Sequence, residues 1–224
     1  MAEPLESRID GIRDDRVHGQ SHLTRLAVEI VAAAAAQQRA AIARKLAEQR
    51  PAMPAIGAAA LEAAGRADPL SLLVQMELEH ARVAADAARR LTDHDVVATI
   101  SASALVERTL LQARPRLVEV LVDGSDDEGH EAAALLRRRG IAAAAIEPGK
   151  VSATAALVGC DAIFEDGGIV NRRGTAALVA AITPGVVVVV GDRWRRVGGG
   201  TPEEWPEPGM FEIVSATPNL GVVA

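Results

Sequence analysis

Five consecutive valines, Val186 to Val190, narrow the possible folds more than any other stretch of this chain. A strand with no polar alternate positions has no face to turn to water. It must be covered on both sides, as an interior strand of a parallel sheet is covered by helices. The chain around it alternates as such a sheet requires. Residues 96–100 read as a β-branched strand, 103–112 as a helix, 117–122 as a strand, and 128–139 as a helix closed by Gly140. Residues 141–146 follow as a strand, 152–158 as a short helix, 162–164 as a strand, about 173–182 as a helix, and 211–214 as the last strand. Strands alternating with helices over this length predict a doubly wound, mostly parallel α/β sheet.

The first part of the chain has a different period. Leu23, Leu26, Ala27, Ile30, Val31 and Ala34 recur at the spacing of one buried helix face, and Leu72, Met76, Val83 and Ala87 do the same further on. Pro51 and Pro54 interrupt the helical run, and Asp68-Pro69 restarts it as N-cap and first helical position. The expected organisation is an N-terminal helical segment, residues 1–92, followed by a Rossmann-like core, residues 93–224. Lys and Arg number 24 against 30 Asp and Glu, a net charge of −6, which argues against nucleic-acid binding by bulk charge. Acidic surface, Ala-rich helices and few aromatics suit a high-salt cytoplasm. A single cysteine, Cys160, excludes an internal disulfide and argues against a thiolate metal site, so neither metal nor cofactor is expected. No apolar run approaches the ~18 residues of a membrane span, and the N-terminus lacks the pattern of a signal peptide. A cytoplasmic protein with no membrane partner is the expectation.

Chemistry concentrates between Gly159 and Thr175, G-C-D-A-I-F-E-D-G-G-I-V-N-R-R-G-T. Read as strand, glycine-rich loop and helix start, it sits where open α/β sheets bind ligands. Asp161 and Asp166 bring carboxylates, Gly167 and Gly168 allow backbone amides to approach a ligand, and the helix start favours an anion. By itself this is also the pattern of a plain turn.

The string resembles the G-A-D-x-I-x-x-N-G-x-x-x-N-K-x-G-T signature of the alpha, beta and delta subunits of translation initiation factor 2B. The isomerases of ribose 1,5-bisphosphate and methylthioribose 1-phosphate share it. The spacing is kept without a gap, with Asp166 in place of Asn and Arg172 in place of Lys. The resemblance implies a ligand pocket with five contributors. His18 and Gly19 stand at an early R-G-A-type loop, His18 replacing the Arg. Arg50, followed by Pro51, matches an arginine that helps hold a phosphate in the isomerases, although a helix cap is an equal reading of it. Ser101 stands where the isomerases carry a presumed catalytic Cys, and Cys160 is not an aligned replacement but reads as a small buried hydrophobe. After the second strand the family's Arg and Gln positions fall in Asp123 to Glu128, where Glu128 replaces Gln and the added carboxylates repel phosphate. The same acids also suit the first turn of a helix. Asp161 matches the isomerases' second acid/base group, and Asn171 and Arg172 match an Asn-Lys pair near the substrate.

The resemblance therefore implies an initiation factor 2B subunit-like protein without catalysis. It would assemble with itself or a homologous subunit and bind a sugar phosphate or nucleotide. The alternative is a sugar-phosphate aldose–ketose isomerase using Asp161. Ser101 in place of the Cys separates the two.

Overall fold

The structure is a computed structural model that describes residues 4–122 and 128–224. In chain order it contains helices α1 (Leu5–Asp14), α2 (Gln20–Ala33), α3 (Arg39–Gln49), α4 (Pro54–Ala64) and α5 (Ser71–Arg90). Next come β1 (Val96–Thr99), α6 (Ala104–Ala113), β2 (Leu117–Leu121), α7 (Glu128–Arg138), β3 (Ala143–Ile146) and β4 (Ala155–Gly159). The chain continues through β5 (Ala162–Ile163), β6 (Ile169–Arg172), α8 (Thr175–Ile182), β7 (Val186–Val190), β8 (Phe211–Val214) and β9 (Leu220–Val223).

The helical segment packs through small residues. Pro54 opens α4 at its first turn, where a missing N–H costs nothing. Ala55, Ile56, Ala59, Ala60 and Ala63 of α4 are buried. Gly57 lets α3 come so close that an added Cβ would lie 2.6 Å from Ala47 Cβ and 2.8 Å from its Cα. Helix α5 spans two cores. Leu72 and Met76 pack with the helices, while Val83, Ala84 and Ala87 pack against the sheet.

That sheet has six parallel strands in the order β3-β2-β1-β4-β7-β9. The five-valine strand lies inside it, between β4 and β9. Val188 and Val190 face the core shared with α5, α6 and α7; Val187 and Val189 face the opposite core with α8. Only Val186, at the strand's first position, is substantially exposed.

Helix α5 starts at Ser71 with Leu70 at its N-cap, not at Pro69 with Asp68, whose carboxylate instead accepts from Leu70 N at 3.1 Å in the turn before it. The structure corrects the reading of the sheet region in three further places. Residues 155–159 form strand β4 at the centre of the sheet, not part of a helix. Ala-Ala-Leu-Val carries no polar face, so its period cannot separate a buried strand from a buried helix. The open place between β1 and β7 decides it, and Glu119 of β2 fixes the entry by accepting from Ser152 N at 2.8 Å and Ala153 N at 3.0 Å.

Second, residues 162–164 do not start a strand-to-helix crossover. Ala162 and Ile163 pair antiparallel with Val170 and Ile169, and Phe164 N bonds Gly168 O at 2.9 Å across a turn in which Gly167 has φ 86°. The helix begins at Thr175, after Gly174 at φ 88°. Third, β8 joins this hairpin in a separate three-stranded sheet, and the last strand of the main sheet is β9. The apolar character of 220–224 is plain in the sequence, but its pairing with β7 is not.

Gly57→Ala should lower stability by about 1–3 kcal/mol in urea unfolding. The new methyl meets backbone that cannot yield, and overpacking outweighs a helix-propensity gain of about 1 kcal/mol. Gly11→Ala in α1, where nothing lies within 4 Å, should instead stabilise by roughly 0.5–1 kcal/mol.

Candidate functional site

Three adjacent strands deliver the site. At their carboxyl ends β1 leads to Ser101, β4 to Cys160 and Asp161, and β7 to Gly191 and Asp192. Between β1 and β4 the strand order reverses direction, which leaves the crevice where open sheets bind. Gly191 is required there: a Cβ would come within 2.7 Å of Cys160 Sγ and 2.9 Å of Ile163 Cδ1.

Arg195 is the hub. Its side chain is buried, and it lies on a short 3₁₀ turn just after β7. Its Nε donates to Asp192 Oδ2 at 3.2 Å, its Nη1 to Gln20 Oε1 at 3.2 Å and to Cys160 O, and its Nη2 to Ser21 Oγ at 2.8 Å. The same Asp192 oxygen lies 3.0 Å from His80 Nε2 on α5. Burial would raise the Asp192 carboxyl, but Arg195 and His80 reverse this and bring its pKa down to about 2. Arg195 thus joins α2 and α5 to the ends of β4 and β7.

Asp161 Oδ1 stands 3.9 Å from Arg195 Nη1, and the Asp161 backbone N–H bonds Val170 O at 2.7 Å. The side chain is 15% exposed. Burial pushes its pKa up to about 6, against the opposing pull of Arg195 and Arg50. Arg50 is the second buried guanidinium. Its Nη1 donates to Asp15 O at 2.5 Å, and its Nε, buried without a hydrogen bond, has Glu207 Oε1 3.4 Å away. Asp15 also organises the loop before α2. It accepts from the Val17 and His18 backbones at 2.8 Å each and lies 2.7 Å from His18 Nδ1. Those contacts, the His18 backbone first, hold its carboxyl down at about 2. His18 stacks on His22 at 4.2 Å, and Gly19 caps α2 through its carbonyl, leaving Gln20 buried beside Arg195.

Arg50 and Asp161, two of the positions selected from sequence, therefore share one electrostatic neighbourhood, and the loop of His18 and Gly19 is tied to it through Asp15. The others make contacts of their own. Asn171 donates to Thr175 Oγ1 at 3.0 Å, which in turn donates to Arg172 O at 2.7 Å. Arg172 forms an ion pair with Glu128. Ser101 receives Thr99 Oγ1 on its carbonyl at 3.1 Å. The anion expected at the start of the signature helix is supplied internally, by Glu212 accepting from Ala176 N at 2.8 Å. Asp166 accepts from Gly168 N and from the Thr201 backbone and hydroxyl. The acids from Asp123 to Asp127 lie outside the described residues. Cys160 is buried, with Sγ 3.6 Å from Val190 O, and burial pushes the thiol up to about 12.

Next to Arg195 lies a cavity of 260 Å³ lined by Ser21, His22, Arg25, Glu77, His80 and Arg108, with Glu77 and Arg108 paired at 2.6 Å and the first turn of α6 closing one side. Among the described residues no group of three or more His, Cys, Asp or Glu is placed to hold a metal ion. Sequence reasoning missed Arg195, Asp192, Gln20 and His80. The G-D-R-W-R-R stretch directly after the valine strand carried the available signal, since a parallel strand's carboxyl end is where charged side chains serve a ligand.

A model of the initiation factor 2 subunit family matches residues 28–189. No curated protein is matched by the sequence. Among solved structures, the chain is similar to the translation initiation factor eIF-2B of Pyrococcus horikoshii OT3 at 19% identity, covering 100% of this chain and 95% of that one with a TM-score of 0.81. It is similar to a chain of the tetrameric eIF2B-beta2-delta2 complex from C. thermophilum at 22% identity, over 88% and 78% with a TM-score of 0.68. It is also similar to the 5-methylthioribose 1-phosphate isomerase of Pyrococcus horikoshii OT3 at 12% identity, over 98% and 82% with a TM-score of 0.63. At these identities the likeness shows the shared fold.

Asp161→Asn should make stability less pH-dependent. The ordinary carboxyl pKa is 3.8 and the folded value about 6, so folding costs nothing extra below 3.8. The cost grows as pH rises through that window and is complete above 6. The variant should therefore gain on the order of 1–3 kcal/mol over wild type near pH 8 and little near pH 4. Urea unfolding at the two pH values measures it.

Proposed function

The chain belongs to the initiation factor 2 subunit family, and from that premise we propose a non-catalytic, subunit-like protein that assembles with itself or a homologue and binds a phosphorylated small molecule. The carrying observation is the charge of the crevice. Two buried guanidiniums, Arg50 and Arg195, flank one carboxyl, Asp161, whose pKa lies near 6. Such a site favours an anion, and Arg50, whose Nε makes no hydrogen bond, has a charged donor to offer a phosphate, while Arg195 adds its positive charge. Arg25 adds a further cation at the adjoining cavity, whose other arginine, Arg108, is paired with Glu77 at 2.6 Å.

The residues at the ends of β1 and β4 lack a second group for turnover. Moving a proton between neighbouring carbons needs two positioned groups of suitable pKa. Ser101 is a hydroxyl far from neutrality, and the thiol of Cys160 is held protonated against Val190 O. Assembly is supported by the likeness to a chain of the tetrameric eIF2B-beta2-delta2 complex.

An aldose–ketose isomerase is the second reading. Asp161 favours it, because a carboxyl near pH 6 is suited to exchange protons at neutral pH.

Ribose 5-phosphate titrated calorimetrically should bind the wild type, and Arg50→Gln should weaken it by about tenfold or more. Equal affinity in the two proteins, or no binding by either, would refute the phosphate site. Turnover of ribose 1,5-bisphosphate or methylthioribose 1-phosphate above roughly 1 per second, abolished by Asp161→Asn, would promote the isomerase. Light scattering at micromolar concentration should show a dimer or larger, and a monomer would count against assembly.

A further inference from the structure

The segment between the turn Arg193–Arg195 and β8 crosses over the helical segment and is pinned at several points. Thr201 donates its N–H and hydroxyl to Asp166 at 2.8 and 2.7 Å. Trp205 Nε1 donates to Ala52 O at 3.2 Å, and its ring meets Phe164 edge-on at 5.5 Å. Ala52 lies two residues beyond Arg50, so the tryptophan places the next turn of the chain over that guanidinium.

This turn is Pro206-Glu207-Pro208-Gly209. Glu207 has φ 58°, a left-handed conformation that costs any residue with a Cβ and that a glycine would take freely. Its carbonyl accepts from Met210 N at 2.9 Å and Phe211 N at 3.0 Å, which locks the turn. Its carboxylate reaches Arg50, with Oε1 3.4 Å from Nε; the Arg50 side chain is 2% exposed and that of Glu207 31%. Among the described residues this is the one ion pair that Arg50 makes, and Arg50 Nε still lacks a hydrogen bond. A buried guanidinium is therefore met by a solvent-reaching carboxylate on a strained turn, in a pairing that is loose rather than bidentate.

We propose that Glu207 is a resident carboxylate that occupies Arg50 in place of a ligand's anionic group, so that a ligand gains Arg50 only by displacing it. The proposal rests on the reading of Arg50 as an anion-holding residue. Glu207 then sets which anions succeed. A phosphate dianion, with more charge and three acceptor oxygens, outcompetes one carboxylate, whereas a singly charged carboxylate ligand gains nothing from the exchange. Displacement carries the Trp205 loop with it, and the released turn escapes its left-handed residue.

The test titrates inorganic phosphate, and separately acetate, near pH 8 into wild type, Glu207→Gln, Glu207→Gly and Arg50→Gln, by calorimetry and by tryptophan fluorescence. Glu207→Gly keeps the turn's preferred backbone while removing the charge, and so separates charge from geometry. Expected is phosphate binding to wild type, roughly threefold or more tighter in both Glu207 variants, lost in Arg50→Gln, with acetate binding gained only in the Glu207 variants. Equal phosphate affinity in wild type and both Glu207 variants, with loss in Arg50→Gln, overturns the competition and leaves Arg50 as an anion site. Phosphate binding unchanged by Arg50→Gln, or absent throughout, overturns the reading of Arg50 and the competition together.

Discussion

The buried Arg195 guanidinium is the interaction on which the rest of the structure depends. It joins three parts of the chain that are far apart in sequence: the first turn of α2 through Gln20 and Ser21, the end of β4 through Cys160 O, and its own turn through Asp192. A buried charge is costly unless its hydrogen bonds are met, so each partner has little freedom. Asp192 is in turn held by His80 of α5. The helical segment is thus fastened to the sheet by polar contacts at the very ends of the strands, in addition to the apolar packing of α5.

The same network explains why Asp161 is unusual. Its backbone is held by the hairpin through Val170 O, and its carboxyl is largely withdrawn from water. Burial raises its pKa more than Arg195 and Arg50 lower it, because Arg195 is already committed to Asp192 and its Nη1 remains 3.9 Å away. Cys160, one residue earlier, faces the other way into the apolar core beside Val190 and is chemically quiet. Two neighbouring residues at one strand end therefore have opposite characters, set by which face of the strand each leaves from.

Fold and site were legible in the sequence to different degrees. The valine run, the strands at β1, β2 and β3, and the buried faces of α2 and α5 were readable because side-chain period follows backbone geometry directly. Strand β4 was not, since a short apolar stretch looks alike in helix and strand. The hairpin at the signature was misread as a crossover because a Gly-Gly turn does not declare which strand will pair with it. Arg50, Asp161, Asn171 and Arg172 could all be named through a resemblance, but the contacts of Asn171 with Thr175 and of Arg172 with Glu128 could not be read from the sequence.

By itself the sequence determined a helical segment followed by a covered parallel sheet, since apolar residues without polar alternates leave no other arrangement that hides them. The tertiary structure alone decided the partners of the charged groups. Arg195 meets Gln20 across 175 positions and Arg50 meets Glu207, and no local pattern encodes such pairs. Hydrophobic burial is non-directional and can be read from composition along one element. The pairing of charges depends on distances of a few ångströms between elements, which exist only once the chain has folded.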